Sequence, residues 1–180
     1  TEFLTTIEGL EPDTKYYIRT YAENSDGIGY SIEKTIKTLT LDKIKPSGSG
    51  TTLSPYMIEN LNNLLWITQS LDNWNKVYEQ TADIKAIETG SWNEAKGFSP
   101  IGNYQNKFSG IYDGKGYSVT NLIITRPTEF YVGLFGYTEN SELKNIKLQN
   151  INITGLRYVG GLVGYNMNTT VGKCYISGSL

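Results

Sequence analysis

Short apolar stretches separated by glycine, asparagine and aspartate run along most of the chain, and this pattern predicts brief β-strands joined by tight turns. Near the end of the chain the pattern repeats. Tyr-Val-Gly-Leu-Phe-Gly at 131–136 returns as Tyr-Val-Gly-Gly-Leu-Val-Gly at 158–164. A repeat of this length indicates one supersecondary unit stacked on the next, because a single unit cannot bury its own apolar face.

The apolar positions between the repeats predict how the units stack. Three apolar triplets align as successive rungs of a stack: Val119/Leu122/Ile124, Leu143/Ile146/Leu148 and Val171/Cys174/Ile176. The third triplet follows the second by 28 positions. The two-residue step places the last pair of each triplet on one face, and the three-residue step before it requires a bend. This pattern predicts a parallel β-helix or a closely related β-solenoid. A twisted β-sandwich is the alternative, but it does not explain the fixed offset.

The repeated glycines fit this interpretation. Gly133 and Gly136 flank one pair of apolar residues, and Gly161 and Gly164 flank another, so we expect corners where only a hydrogen atom fits or where φ is positive.

One amphipathic helix is predicted ahead of the repeats. Ser54 is the expected N-cap and Pro55 the first helical residue, and the helix is expected to end near Ser70. Its apolar stripe comprises Ile58, Leu61, Leu64, Leu65 and Thr68. We expect it to cover the open end of the strand stack. Binding to a membrane surface is disfavoured because the polar face carries no Lys or Arg.

The first 40 residues form a separate module of extended segments at 3–10, 15–23 and 30–38. The run Leu-x-Pro-x-Thr-x-Tyr at 10–16, followed by Ala-x-Asn-x-x-Gly-x-Gly-x-Ser at 22–31, resembles the closing half of a fibronectin type III domain. Residues 41–53 are predicted to be a linker because they contain Lys-Pro-Ser-Gly-Ser-Gly. Residues 54–180 are then the helix-capped β-solenoid, and the fold class is all-β.

Residues 48–180 carry a second resemblance. Gly-Leu-Phe-Gly and Gly-Leu-Val-Gly resemble the GLUG motif of bacterial surface proteins, and Phe-Ser-Pro-Ile-Gly-Asn at 98–103 resembles the segment that precedes such repeats. The resemblance implies a modular, adhesin-like bacterial protein that is secreted or attached to the cell surface, and it brings no catalytic residues with it.

Composition narrows the function classes. The net charge is -2 with both signs interspersed, which argues against a nucleic-acid partner, and no apolar run is long enough to insert into a membrane. Histidine is absent, which removes the commonest general base and zinc ligand. The single cysteine, Cys174, takes the repeat position of Ile146 and is interpreted as a small apolar residue rather than a reactive thiol. No cofactor or metal site is expected.

Aromatic residues near the turns are the best candidates for ligand binding, because flat rings on a rigid β surface stack on sugars. The candidate ligand-binding residues are Trp74, Trp92, Tyr104 and Tyr112. Packing under the helix is the competing interpretation for both tryptophans. Four acidic residues are candidate catalytic carboxylates, but their spacing alone gives no active-site geometry: Asp83, Glu88, Glu94 and Asp113.

The sequence therefore predicts a non-enzymatic region of an extracellular or cell-surface bacterial protein that serves adhesion or display, with host or matrix glycans or proteins as partners. Two alternatives stay open. The region is an accessory part of a secreted polysaccharide-degrading enzyme or peptidase, or it is a glycan-binding module.

Overall fold

The computed structural model describes residues 7, 10, 14–37 and 43–180. The chain divides into two units, residues 1–42 and residues 43–180. The described residues are mostly β-strand, so the predicted all-β class is confirmed. Among them no helix is long and apolar enough to cross a membrane.

The first unit contains two antiparallel strand pairs. Strand β1 (Lys15–Ile18) pairs with β4 (Lys34–Lys37), and β2 (Tyr21–Asn24) pairs with β3 (Gly27–Tyr30). The predicted second strand is thus split in two, and the predicted first strand lies mostly outside the described residues. Large apolar side chains on these strands are exposed, Tyr21 by 65% and Tyr30 by 59%. The fibronectin type III resemblance of this unit stays a prediction.

The second unit is a series of coils built from short parallel strands. Its strands are β5 (Tyr56–Ile58), β6 (Val77–Gln80), β7 (Ile84–Lys85), β8 (Ile111–Asp113), β9 (Ser118–Thr120), β10 (Ile123–Val132), β11 (Phe135–Glu139), β12 (Glu142–Lys144), β13 (Lys147–Val159), β14 (Val163–Met167), β15 (Thr170–Gly172) and β16 (Tyr175–Ser179).

Three parallel sheets run along the stack of coils. One has the order β15-β12-β8-β6-β5, the second β10-β13-β9-β7 with β16 also on β13, and the third β11-β14. A coil passes through each sheet in turn, as β12, β13 and β14 do. This arrangement agrees with the parallel β-helix that the repeat predicts, because every strand hydrogen-bonds to its equivalent in the neighbouring coil.

The register of the last two coils follows the predicted 28-residue offset. Leu143 pairs with Val171, and Leu148 pairs with Ile176. The predicted alignment of the first rung is wrong. Leu143 pairs on its other side with Tyr112, and Leu148 pairs with Val119.

The first and second triplets lie in different sheets, which explains this error. Val119 is in β9 and Leu143 is in β12, so the apolar spacing matches two segments that do not pair. Leu122 lies level with Ile151 rather than in the Ile146 and Cys174 column, since its neighbour Ile123 pairs with Asn152.

Residues with positive φ mark the corners of the coils, and they recur from coil to coil. Asn140 and Asn168 occupy one corner, Asn121 and Asn150 a second, and Tyr131 and Tyr158 a third. A fourth corner is formed by Lys115, Asn145 and Lys173. Asparagine tolerates the left-handed region better than most residues, which explains its frequency here.

The repeated glycines do not supply these positive φ angles. Gly133, Gly136, Gly161 and Gly164 all lie outside the left-handed region, so that part of the prediction is wrong. The expectation that only a hydrogen atom fits is confirmed, because these glycines leave no room for a side chain. A Cβ atom on Gly164 would lie 2.6 Å from the carbonyl oxygen of Tyr158 and 2.7 Å from the backbone nitrogen of Val132.

Helix α1 (Leu61–Thr68) is shorter than predicted. It begins six residues later than expected because Tyr56–Ile58 form the terminal strand β5, paired with β6. Asn60 is the N-cap, and its side-chain oxygen accepts a hydrogen bond from the backbone N–H of Asn63 at 3.1 Å. Ser54 instead closes a turn with Thr51.

The buried face of α1 is formed by Leu64, Leu65 and Ile67, together with Asn63. Trp66 lies edge-on to the ring of Tyr56 in β5, with ring centroids 5.2 Å apart. The helix therefore packs beside the terminal strand, as its amphipathic pattern predicts. Burying each of these aliphatic side chains contributes about 1.5–3 kcal/mol.

Aspartate side chains form hydrogen bonds between neighbouring coils. Asp83, which follows β6, accepts hydrogen bonds from the backbone N–H of Ser118 at 2.7 Å and from its hydroxyl at 2.9 Å. The donated bonds from Ser118 hold the pKa of Asp83 below its ordinary value of 3.8.

Asp113 makes a similar link to the next coil. It accepts from the Asn145 amide at 2.8 Å and from the Lys115 N–H at 2.9 Å. Burial alone would raise the pKa of Asp113, but these donors and the nearby lysines outweigh burial and lower it.

We predict that Gly164→Ala destabilises the protein by about 1–3 kcal/mol, because its Cβ atom would be forced against backbone atoms of two neighbouring strands. Gly172→Ala is the matched control, since nothing lies within 4 Å of a Cβ atom placed there. Urea denaturation measures both variants. Equal unfolding midpoints for the two variants would contradict the close approach of the coils at Gly164.

We also predict that Asp83 makes stability depend on pH. Its folded pKa is depressed, so its contribution is present above pH 3.8 and is lost as the pH falls through the folded pKa. The Asp83→Asn variant should be less stable than the wild type near neutral pH and should lose less stability on acidification. Urea midpoints measured from about pH 7 to about pH 2 test this. The control is Asp72→Asn, on an exposed aspartate, and a wild-type acid profile in Asp83→Asn would refute the prediction.

Candidate ligand-binding surface

The four aromatic residues that the sequence proposes for ligand binding differ in their exposure to solvent. Trp74, Trp92 and Tyr112 are 3%, 4% and 0% exposed, whereas Tyr104 is 61% exposed. A buried ring offers no face to an external ligand. Packing, the competing interpretation for both tryptophans, is therefore what the structure shows for them, and Tyr104 is the member of the set with an accessible ring.

Each of the three buried residues has an internal role. The indole N–H of Trp74 donates to the Ile67 carbonyl at 2.7 Å, which ties the end of α1 to the turn after it. Tyr112 stacks on Tyr78 at 6.3 Å, and burial raises the pKa of its hydroxyl well above the ordinary value. Trp92 packs on Phe98. It precedes three residues with positive φ, at 93–95, and its own indole N–H is buried without a partner.

Tyr104 lies at one end of a row of stacked tyrosines. The loop that carries Tyr104 pairs with β11 at two points, at Ile101 before Tyr104 and at Phe108 after it. Its ring stacks on Tyr131 with centroids 6.1 Å apart and planes 19° apart, and Tyr131 stacks in turn on Tyr158 at 5.2 Å and 8°. These three residues are 27 positions apart in the sequence, one on each of three successive coils.

A second row lies beside the first. Tyr137 and Tyr165 occupy paired positions in β11 and β14, and their rings are 4.9 Å apart. The two rows touch through edge contacts, since Tyr165 lies 5.2 Å from Tyr158 at an angle of 81°. We call the five residues the tyrosine ladder: Tyr104, Tyr131, Tyr137, Tyr158 and Tyr165.

The backbone explains why the ladder forms. Tyr131 and Tyr158 both have positive φ, 61° and 56°, and each precedes the Val-Gly of its repeat. This conformation costs about 1–2 kcal/mol for an ordinary L-residue. Each aromatic pair contributes about 0.5–1.5 kcal/mol beyond its burial, so stacking offsets the cost.

Two cations flank the ladder. The ammonium of Lys107 lies 5.7 Å from the ring centre of Tyr104 and 5.6 Å from that of Tyr137. The guanidinium of Arg157 lies 4.9 Å from the ring centre of Tyr158. Burial raises the pKa of Tyr137, and the neighbouring Tyr165 and Glu139 raise it further. The Tyr137 phenol therefore stays neutral beside Lys107 at physiological pH.

The ladder offers a ligand two different kinds of surface. Tyr131 has a ring on each side of it, so the part of it that reaches solvent is its edge. Open apolar faces occur at the margin, where Tyr104 and Phe130 are 61% and 50% exposed and both lie against Tyr131. Together with Lys107 and Arg157, these residues form a mixed aromatic and cationic margin.

Sequence reasoning found Tyr104 but missed the rest of the ladder. The signal was present, because Tyr131 and Tyr158 open both copies of the repeat and Tyr137 recurs as Tyr165. Their stacking follows once the coils are known to lie in register, which makes residues at the repeat offset neighbours in space.

A polar groove of about 430 Å³ lies on another side of the coils. It is lined by Asp113, Lys115, Gly116, Asn145, Lys147 and Lys173. Lys115 pairs with Glu79 at 3.3 Å, and Asp113 is held by Asn145. Asp83 and Asp113, two of the candidate catalytic carboxylates, are thus engaged in contacts between coils. Within the described ranges, no three His, Cys, Asp or Glu residues are grouped to hold a metal ion.

Cys174 is half-buried, and its thiol lies 3.3 Å from the carbonyl oxygen of Gly172. Burial raises the pKa of this thiol, which keeps it protonated and weakly nucleophilic.

Comparison with known proteins finds the GLUG motif and two related chains. The family model of the GLUG motif matches residues 155–180, which contain the second copy of the repeat. The chain is 40% identical over 129 residues to halomucin of Haloquadratum walsbyi. It is 34% identical over 125 residues to a putative Gly-rich membrane protein of Evansella cellulosilytica.

These alignments cover 68% and 66% of the chain, but the chain spans about 1% of halomucin and 14% of the Gly-rich protein. No solved structure matches. The predicted GLUG region is thus supported by a family match and by two much longer relatives.

Proposed function

We propose that this region is a rigid, non-catalytic module of a secreted or cell-surface protein, and that it serves adhesion and display. The observation that carries the proposal is the stack of parallel coils with the tyrosine ladder along one side. Strands that pair in register across successive coils give a stiff support, and a stiff support holds a binding surface at a fixed distance from its attachment point.

The comparisons support the location. One relative is named as a membrane protein, the other as halomucin, and the chain spans a small part of each. A module that forms a small part of a much longer protein suits a display role. Asp83 and Asp113 hold neighbouring coils together, which favours a structural over a catalytic use of both carboxylates.

The adhesive contact is placed at the margin of the ladder. Tyr104 and Phe130 present exposed rings, which suit the C–H faces of a sugar or the apolar side chains of a protein. Lys107 and Arg157 each lie against a ladder ring and supply positive charge for acidic groups on a partner. The partners that we propose are host or matrix glycans and proteins, with acidic glycans matching the local charge best.

We predict that beads carrying the 180-residue chain are retained on a surface coated with an acidic polysaccharide such as alginate. Tyr104→Ala should weaken binding about tenfold, which corresponds to about 1.4 kcal/mol. Tyr117→Ala is the matched control, because Tyr117 is 40% exposed but lies outside the ladder. Surfaces coated with dextran and with collagen separate acidic glycans from neutral glycans and proteins.

Retention equal to that of uncoated beads on all three surfaces would overturn the adhesive role. Retention that Tyr104→Ala leaves unchanged would place the contact elsewhere on the molecule and refute the margin of the ladder as the site.

A further inference from the structure

Tyr131 and Tyr158 are arranged in a way that adhesion does not require. Their rings are nearly parallel, 8° apart, with centroids separated by 5.2 Å. They lie on adjacent coils at equivalent positions, because the neighbouring residues Val132 and Val159 pair in the parallel sheet. Both rings are part-exposed, so a small oxidant reaches them from solvent.

We propose that the tyrosine ladder is a site of oxidative tyrosine coupling, at which Tyr131 and Tyr158 form a carbon–carbon cross-link between adjacent coils. The oxidant is a peroxide acting through a haem peroxidase. Each phenol loses one electron and one proton to give a phenoxyl radical. The two radicals join through ring carbons next to the hydroxyls, and the displaced ring hydrogens move to the phenol oxygens. The pair loses two hydrogen atoms in total, and one hydrogen peroxide is reduced to two waters.

Proximity selects this pair. Radical coupling competes with diffusion of other molecules into the site, and two rings already in contact meet without any bimolecular encounter. The other close pair, Tyr137 and Tyr165, is less suited because Tyr137 is 6% exposed and the planes of the two rings are 54° apart. Tyr104 is the most exposed ring, but its centroid lies farther from that of Tyr131, at 6.1 Å.

The cross-link would have a mechanical effect. It joins two residues that are 27 positions apart in the chain, so the coil between them cannot open while the bond remains. A covalent loop of this kind restricts the unfolded chain and raises stability, as a disulfide does. This inference stands whether or not the margin of the ladder binds a glycan.

The test oxidises the 180-residue chain with a haem peroxidase and limiting hydrogen peroxide. We expect dityrosine fluorescence, an intact monomer whose mass is lower by two hydrogen atoms, and a tryptic cross-link that joins the peptide containing Tyr131 to the peptide that begins at Tyr158. The cross-linked monomer should unfold at a higher urea concentration than the untreated monomer.

Variants identify the pair. Tyr131→Phe and Tyr158→Phe keep the stacked ring but remove the phenol, so each should fold and lose the monomeric cross-link. Tyr117→Phe and Tyr165→Phe should keep the wild-type yield. Circular dichroism confirms the fold of each variant.

Three results would overturn the proposal. The first is a wild-type yield of monomeric dityrosine in Tyr158→Phe. The second is the formation of dimers alone. The third is an equal yield from the chain unfolded in urea, because the folded geometry would then have no role.

Discussion

Because each coil hydrogen-bonds its strands to the coil before it and to the coil after it, every position of the repeat is held next to its own equivalent. Strand β12, for example, pairs with β8 on one side and with β15 on the other. This stacking in register is the constraint from which the other features follow. It requires coils of nearly equal circumference, corners that turn sharply, and turns whose extra residues are accommodated outside the sheets.

Like residues then come together in rows. The corner asparagines lie one above another because the left-handed conformation recurs at the same point of each coil, and the tyrosines stack for the same reason. Contacts between the stacked rings offset the free-energy cost of the left-handed backbone conformation at Tyr131 and Tyr158. The ladder and the corners are therefore two results of one repeat, and a substitution in one coil affects the coils on either side.

The sequence predicted the repeat, the parallel stacking and the 28-residue offset between the last two coils. Leu143 and Val171 illustrate this offset, because they differ in size but occupy the same place in the apolar pattern. The sequence failed on the preceding coil, because the apolar spacing of β9 resembles that of β12 although the two strands belong to different sheets. The start of the helix was misplaced for a related reason. Ser54 and Pro55 carry a local start signal, but pairing of Tyr56 with Tyr78 overrides it. For Trp74 and Trp92 the sequence allowed both packing and ligand binding, and their burial in the structure favours packing.

The direction of the hydrogen bonds also determines how the stack responds to force. They run along the axis of the coils, so tension applied through the chain ends would peel the outermost coil before the next one is disturbed. Each released coil of about 28 residues supplies up to about 100 Å of extended chain. A stack of coils under tension therefore lengthens in steps and absorbs work at each step.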